Sequence, residues 1–353
     1  DEEDRAPARP QMILPAGVAP EARLLLGGRA LRAFCDGYVA VLLPAYLLAL
    51  GFGIWEVGIL STATLLGSAL ATLAVGAWGH RFHHRSLLLG AALLMAATGL
   101  SFAGLPSFWP LLLVAFAGTM NPSSGDVSVF LPLEHARLAE AAQGDARTAL
   151  FARYSLAGAL FAALGALAAA VPDALVPLGI ERLAALRGMF VVYGAAGLLV
   201  WVLYRRLPQP AHDERPVPPA PLGISRPTVL KLAALFSVDA FAGGLVVNSL
   251  LALWLFEHFD LSLTAAGHFF FWSGLFSAFS QLAAPKVAQR IGLINTMVFT
   301  HIPANIFLVL AALAPNLSLA LGFLLLRALL SQMDVPTRSA FVMAVVTPQE
   351  RAA

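Results

Sequence analysis

The stretch Gly76-Ala77-Trp78-Gly79-His80-Arg81-Phe82-His83-His84-Arg85 decides how this chain is read. It is a short, basic break between two long apolar runs. A second break of the same kind stands at Pro285-Lys286-Val287-Ala288-Gln289-Arg290-Ile291-Gly292. Each closes an apolar run that begins near a glycine. Gly58 to Arg81 and Gly267 to Arg290 are both separations of 23 residues. One helix–basic turn–helix unit therefore occurs in each half of the chain. In a membrane protein, such internal duplication points to a pathway between the halves.

Composition sets the frame. The chain has 353 residues, 59% hydrophobic and 12% charged, with a mean hydropathy of +0.79. Soluble domains carry about 25% charged residues, so this is an all-α polytopic membrane protein. A net charge of +2 gives no footprint for nucleic acid. A single cysteine, Cys35, leaves no internal disulfide to form. Residues 1–27 are polar and hold no signal-peptide pattern.

A helix needs roughly 20 apolar residues to cross the bilayer core. The runs predict ten spans, near 29–50, 55–78, 87–105, 108–132, 151–171, 187–204, 229–256, 265–287, 293–313 and 317–345. Around them the chain divides into a polar tail at 1–27, a helical bundle at 28–204, a charged, proline-rich linker at 205–227, and a second bundle at 228–353. With the N-terminus inside, the inner segments hold 18 Lys and Arg residues against 2 outside, Arg182 and Arg187. That bias sets the orientation, with the plasma (inner) membrane as the expected location.

Six spans precede the linker and four follow it. Asp36 in span one matches Asp239 in span seven. Asn121, Ser123, Ser124 and Asp126 end span four, where Asp334, Thr337 and Arg338 end span ten. Equivalent halves would need two more C-terminal spans, so the chain reads as part of a twelve-span protein.

On these residues the chain resembles the major facilitator superfamily, whose turn after span two reads Gly-x-x-x-Asp-Arg-x-Gly-Arg-Arg. Gly76, Arg81 and Arg85 fall on that pattern, with His80 in place of the aspartate and His83 in place of the second glycine. The second copy keeps Arg290 and Gly292, with Pro285 at the first glycine. The resemblance implies two six-helix halves that rock about a central site, and a gating role for the turn with Gly76, Gly79, Arg81, Arg85, Arg290, Asp334 and Arg338. It implies that spans one, four, seven and ten converge on the cavity. Span five, around Gly158 and Gly165, lacks the Gly-Pro pair common in drug/proton antiporters.

Ionisable side chains inside a membrane cost about 2.5–3.5 kcal/mol at the helix centre, so they face a cavity or a partner. Asp36 and Asp239 are candidates for proton coupling or substrate contact, or Asp36 pairs with Arg32 one turn away. Arg327 lies roughly 15 Å into span ten. It suits either an anionic substrate or an ion pair with a carboxylate such as Asp239. Asp334 and Arg338, four apart, are placed to pair, while Pro336 between them breaks one backbone hydrogen bond and Pro122 and Gly125 loosen span four. Asn121, Asp126, Asn248, Trp272 and Gln281 are further candidate cavity residues, with Tyr38 and Tyr46. Glu134, His135, Arg137 and Arg153 suggest a charge network at the inner surface.

The leading expectation is a secondary active transporter, with proton-coupled export of an amphipathic molecule, because the spans are rich in Phe, Leu and Ala. Proton-linked uptake of an organic anion is second, because of Arg327. Protons or another ion would couple transport, and the chain is expected to act as a monomer in the bilayer. His80, His83 and His84 lack a second ligand cluster for a metal. No Walker loop or nucleophile–base constellation is present, so no cofactor and no enzyme activity are expected. An intramembrane enzyme or a non-transporting scaffold are the rivals from other classes.

Overall fold

The structure, a computed structural model, describes residues 18–123, 128–208, 223 and 225–345. Among these residues every regular element is helical. That follows from the solvent: inside a bilayer each backbone N–H and C=O must find its partner within the segment. The helices are α1 (Ala22–Ala49), α2 (Ile54–Trp78), α3 (His84–Gly104), α4 (Phe108–Ala117), α5 (Phe130–Ala141), α6 (Gly144–Ala168), α7 (Val171–Leu175) and α8 (Arg182–Arg205). After the linker come α9 (Arg226–Gly244), α10 (Asn248–Phe259), α11 (Leu263–Ile291), α12 (Leu293–Ala312), α13 (Leu317–Ser331) and α14 (Asp334–Val345).

Eight helical stretches are long and apolar enough to cross a membrane. Two of the ten expected spans fall outside that set, each for a physical reason. Span four is interrupted: α4 stops at Ala117, where the Gly118 amide closes onto Val114 O at 2.8 Å. Span eight, α11, is 29 residues long but carries Ser273, Ser277, Ser280 and Gln281 among its apolar residues.

Two further spans are also broken, span seven where a continuous helix was expected and span ten close to the interruption expected at Pro336. Span seven divides into α9 and α10 at Leu245–Val247, and span ten into α13 and α14 at Gln332–Met333. Pro336 therefore falls in the first turn of α14, where a missing N–H costs little. The breaks in spans four and seven satisfy each other. Ser249 donates its amide to Pro122 O at 3.0 Å, and its hydroxyl lies 2.9 Å from Ala40 O and 3.0 Å from Pro122 O.

The two basic turns have different backbones. After α2 the chain makes one 3-10 turn, Gly79–Arg81, then extends through Phe82 and His83, with His83 at φ −68°. After α11 a single residue, Gly292, turns the chain at φ 88° into α12. Only the second turn uses a left-handed backbone, so only it requires glycine. That explains why the first copy accepts His83 at the matching place.

α1 is the buried axis of the N-terminal helices. Tyr38 donates to Met189 O at 3.1 Å and Tyr46 to Phe102 O at 2.5 Å, which ties α1 to α8 and α3. Against α6 the approach is closer. A Cβ on Gly37 would stand 2.0 Å from Ala162 O, and one on Gly165 2.0 Å from Phe34 O. Small residues let the two backbones touch, which is how helices associate without a hydrophobic drive between them.

Candidate functional site

A cavity of about 320 Å³ lies between the N-terminal and C-terminal helices. It is lined by Arg29 and Gly37 of α1, Ser123 at the break in span four, and Ser155 to Ala166 of α6. Opposite stand Asn248 of α10, Phe270 to Gln281 of α11, Arg327 to Ser331 of α13, then Gln332 and Val335. Spans one, four, seven and ten converge there as expected, and spans five and eight join them. Apart from Ser155 the α6 wall is Gly and Ala, so the space is created by missing side chains. The α11 wall places Phe270, Ser273, Gly274, Ser277, Ala278 and Gln281 at helical spacing on one face.

The chemistry of the lining is polar and positive. Two arginines enter it, five serines, one asparagine and two glutamines, while Phe270 is the one aromatic and no carboxylate takes part among the described residues. Arg29 lies flat against α6: a Cβ on Gly158 would stand 2.3 Å from its Nη2, and the guanidinium sits 5.2 Å from the Tyr154 ring centre. Arg327 differs. Among the described residues it has no hydrogen bond or ion pair, and its Nε, like that of Arg29, is buried without an acceptor. A guanidinium fixed in a low-dielectric cavity with no counter-charge is a ready acceptor site for an anion.

The candidates from the sequence separate into three groups. Arg327, Asn248 and Gln281 line the cavity, Gln281 donating to Gln332 Oε1 at 3.3 Å. Asn121 sits just behind it, buried, accepting from the amide of Ser123 at 3.0 Å and its hydroxyl at 2.6 Å. Asp36 is buried at 7% exposure beside cavity-lining Gly37 but is not itself in the lining. Trp272 points away, 48% exposed and 6.1 Å from Phe276. Tyr38 and Tyr46 are spent on the backbone bonds described above. Asp126 and Ser124 lie outside the described residues.

The expected charge pairings are rearranged. Arg327 does not meet Asp239. That carboxylate bonds Arg338 at 2.6 Å and His301 Nε2 at 3.2 Å, while Arg338 also holds Asp334 at 2.6 Å. Arg32 forms its ion pair with Glu134. Glu134 also accepts from the hydroxyls of Tyr154 and Tyr204, and the Arg32 guanidinium stacks 4.1 Å from the Phe130 ring centre. Arg137 reaches Glu140 at 3.0 Å and Pro208 O at 3.1 Å. At the basic turns Gly76, Arg81 and Arg290 are exposed and Gly79 is buried. Arg85 donates to Arg205 O at 2.5 Å, binding the start of α3 to the end of α8.

Sequence reading passed over His301 and the serines of α11. The serines had a legible signal, a polar stripe at steps of four on an otherwise apolar helix. His301 had none, since its partners come from helices far apart in the chain.

The fold and cavity can be set beside known proteins. The sequence model described as Major Facilitator Superfamily matches residues 25–353. The uncharacterized membrane protein YJR124C of Saccharomyces cerevisiae is 26% identical over 370 residues, covering 94% of this chain and 82% of the relative. A bacterial homologue of the human lysosomal transporter Spinster, inward-facing and unoccupied, superposes with a TM-score of 0.70 at 18% identity, covering 94% of this chain and 76% of that one. A variant of the nucleoside transporter NupG superposes with a TM-score of 0.65 at 17% identity, covering 94% of this chain and 85% of that one.

Proposed function

The chain belongs to the major facilitator superfamily, and on that premise we propose that this multi-pass membrane transporter carries a small organic anion by alternating access. The observation that carries the substrate class is Arg327 with Arg29 in a cavity lined by hydroxyls and amides and by no carboxylate among the described residues. Export of an amphipathic compound finds less support. The apolar groove that would suit one, between Trp55, Ile59, Leu66, Trp109 and Phe116, runs along α2 and α4, away from the cavity.

Alternating access needs contacts between the halves that form at one end and break in turn. Candidates are Ser249 on Ala40 and Pro122, and Asp173 accepting from the amide and hydroxyl of Thr264 at 3.2 and 3.1 Å. The Asp173 carboxylate meets the first turn of α11, where the helix dipole favours negative charge. Gly267 against Ala166 and Gly274 against Ala163 continue the same seam. Asp173 with Thr264 and Gly267 with Ala166 lie toward the end of the bundle opposite the basic turns, while Ser249 and Gly274 stand beside the cavity. Lys and Arg placement puts the basic end inside, so this arrangement is closed to the outside. Protons are the coupling ion of this reading, with Asp36 and Asp239 as intramembrane carboxylates.

Counterflow in proteoliposomes tests the substrate class, with labelled gluconate, glucose 6-phosphate, glucose and tetraphenylphosphonium as probes. An anion should exchange saturably. Arg327→Gln removes a charged hydrogen bond worth about 1.5–3 kcal/mol, which is about 10- to 100-fold in apparent affinity. Arg327→Lys should restore part of it. Transport of glucose or tetraphenylphosphonium alone, indifferent to Arg327→Gln, would overturn the anion reading.

A further inference from the structure

A hydroxyl on a membrane helix has a ready partner in the carbonyl four residues back. Away from the cavity this chain uses it. Thr62 donates to Gly58 O at 2.8 Å, Thr98 to Leu94 O at 2.7 Å, Ser237 to Ala233 O at 2.7 Å and Thr300 to Thr296 O at 2.8 Å. The cavity serines do not. Ser273 and Ser277 of α11, Ser331 of α13 and Ser155 of α6 line the space and make no hydrogen bond among the described residues. Ser280, also on α11, stands outside the lining with its hydroxyl buried.

The open hydroxyls are set in rows. Ser273 and Ser277 are four residues apart and share the face of α11 that fronts the cavity, about 6 Å along its axis. Ser331 lies one turn beyond Arg327, and both face the same space. Gln281 extends the α11 row and donates to Gln332 Oε1 at 3.3 Å. That bond spends one hydrogen of Gln281 and one lone pair of Gln332, so the Gln281 carbonyl and the Gln332 amino group keep capacity for a ligand. A fixed cation therefore stands beside groups that both donate and accept.

This combination selects a body as well as a charge. A serine hydroxyl offers one hydrogen and two lone pairs, and a substrate hydroxyl offers the same. A polyol chain can answer each serine in both roles. A hydrocarbon or aryl body would drive water from the serines and leave them unpaired, a loss of about 10- to 100-fold for each hydroxyl so covered. Phe270 is the one aromatic of the lining and gives such a body little to rest on.

We infer that the cavity selects a polyhydroxylated organic anion, a sugar acid or a sugar phosphate, with Arg327 on its carboxylate or phosphate and Ser273, Ser277 and Ser331 on its hydroxyls. The serines set specificity separately from the charge that Arg327 supplies. This rests on the anion reading above and adds the kind of body the anion carries.

Calorimetric titration of the purified full chain in detergent tests it, with gluconate, glucose 6-phosphate, hexanoate and glucose as probes. Gluconate and hexanoate each carry one carboxylate on a six-carbon chain and differ in their hydroxyls. At least one of the two hydroxylated anions should bind about 100-fold or more tighter than hexanoate, and the better of the two tells carboxylate from phosphate. Ser277→Ala should weaken that anion by about 2- to 10-fold while hexanoate stays unchanged or binds tighter. Ser273→Ala should do likewise, and Ser280→Ala should move neither. Hexanoate binding as tightly as both hydroxylated anions, or a hydroxylated-to-hexanoate ratio unaltered in both cavity variants, overturns the proposal and leaves the anion reading standing. Binding by none of the anions, or by glucose as tightly as by them, overturns the anion reading and this inference with it.

Discussion

Glu134 in the N-terminal helices and Asp239 in the C-terminal helices each bind an arginine, but their surroundings differ. Glu134 is fully buried, with Arg32, Tyr154 and Tyr204 all directed at it. The four groups come from α5, α1, α6 and α8, so one carboxylate pins four helices. Asp239 is 35% exposed, shares Arg338 with Asp334, and has a histidine as its other neighbour. The first cluster has a carboxylate matched to a guanidinium and hydroxyls to take up its remaining lone pairs. The second has two carboxylates sharing one guanidinium, with a histidine 3.2 Å from Asp239. A closed, charge-balanced network fixes structure. A partly exposed network in which two carboxylates share one arginine is less tightly held.

The largest effect should come from breaking the first network. Glu134→Gln leaves the Arg32 guanidinium buried without its ion-pair partner. Removing one partner of a buried pair costs about 3–5 kcal/mol. Thermal or denaturant unfolding of the detergent-solubilised protein should show a large fall in stability at every pH tested. A Glu134→Gln protein as stable as the wild type would remove the distinction between the two clusters.

Tyr204→Phe is gentler. It removes one hydroxyl from Glu134 and keeps Arg32 and Tyr154 in place. A hydrogen bond to a charged group contributes about 1.5–3 kcal/mol. The ring still fills its site against α1, where a Cβ on Gly28 would stand 2.6 Å from its ring carbons. The loss should therefore be near the lower end of that range. Unfolding data on Tyr154→Phe beside it would show whether the hydroxyls act singly or as a unit.

How far the sequence revealed these two networks follows from where their members lie. Helices, the duplicated turns and the family were legible because periodicity and length are local signals. The α11 stripe of Ser273, Ser277 and Gln281 was legible in the same way, as a 3.6-residue pattern. Asp334 with Arg338 could be paired because four residues make one turn. Arg32 with Glu134 is 102 residues apart and Arg338 with Asp239 is 99, and no spacing rule reaches that far. The sequence therefore offered Arg32 to Asp36 and Arg327 to Asp239. Each arginine took a different course once the helices packed. The break at Leu245–Val247 was equally hidden, since the hydropathy of span seven runs through it, whereas Pro336 marked span ten a few residues from its break.

The smallest effect on stability should come from Asp239→Asn, and its smallness is what makes the comparison sharp. Interhelical hydrogen bonds in membrane proteins average about 0.6 kcal/mol, and the amide keeps an oxygen that Arg338 can still reach. Arg338 also retains Asp334 on its own helix. Unfolding should move by about 1 kcal/mol or less, well below the loss in Glu134→Gln. Two carboxylates with similar partners would then differ severalfold in their contribution to stability. A fall in stability as large as that of Glu134→Gln would mean that the C-terminal cluster is also a structural lock.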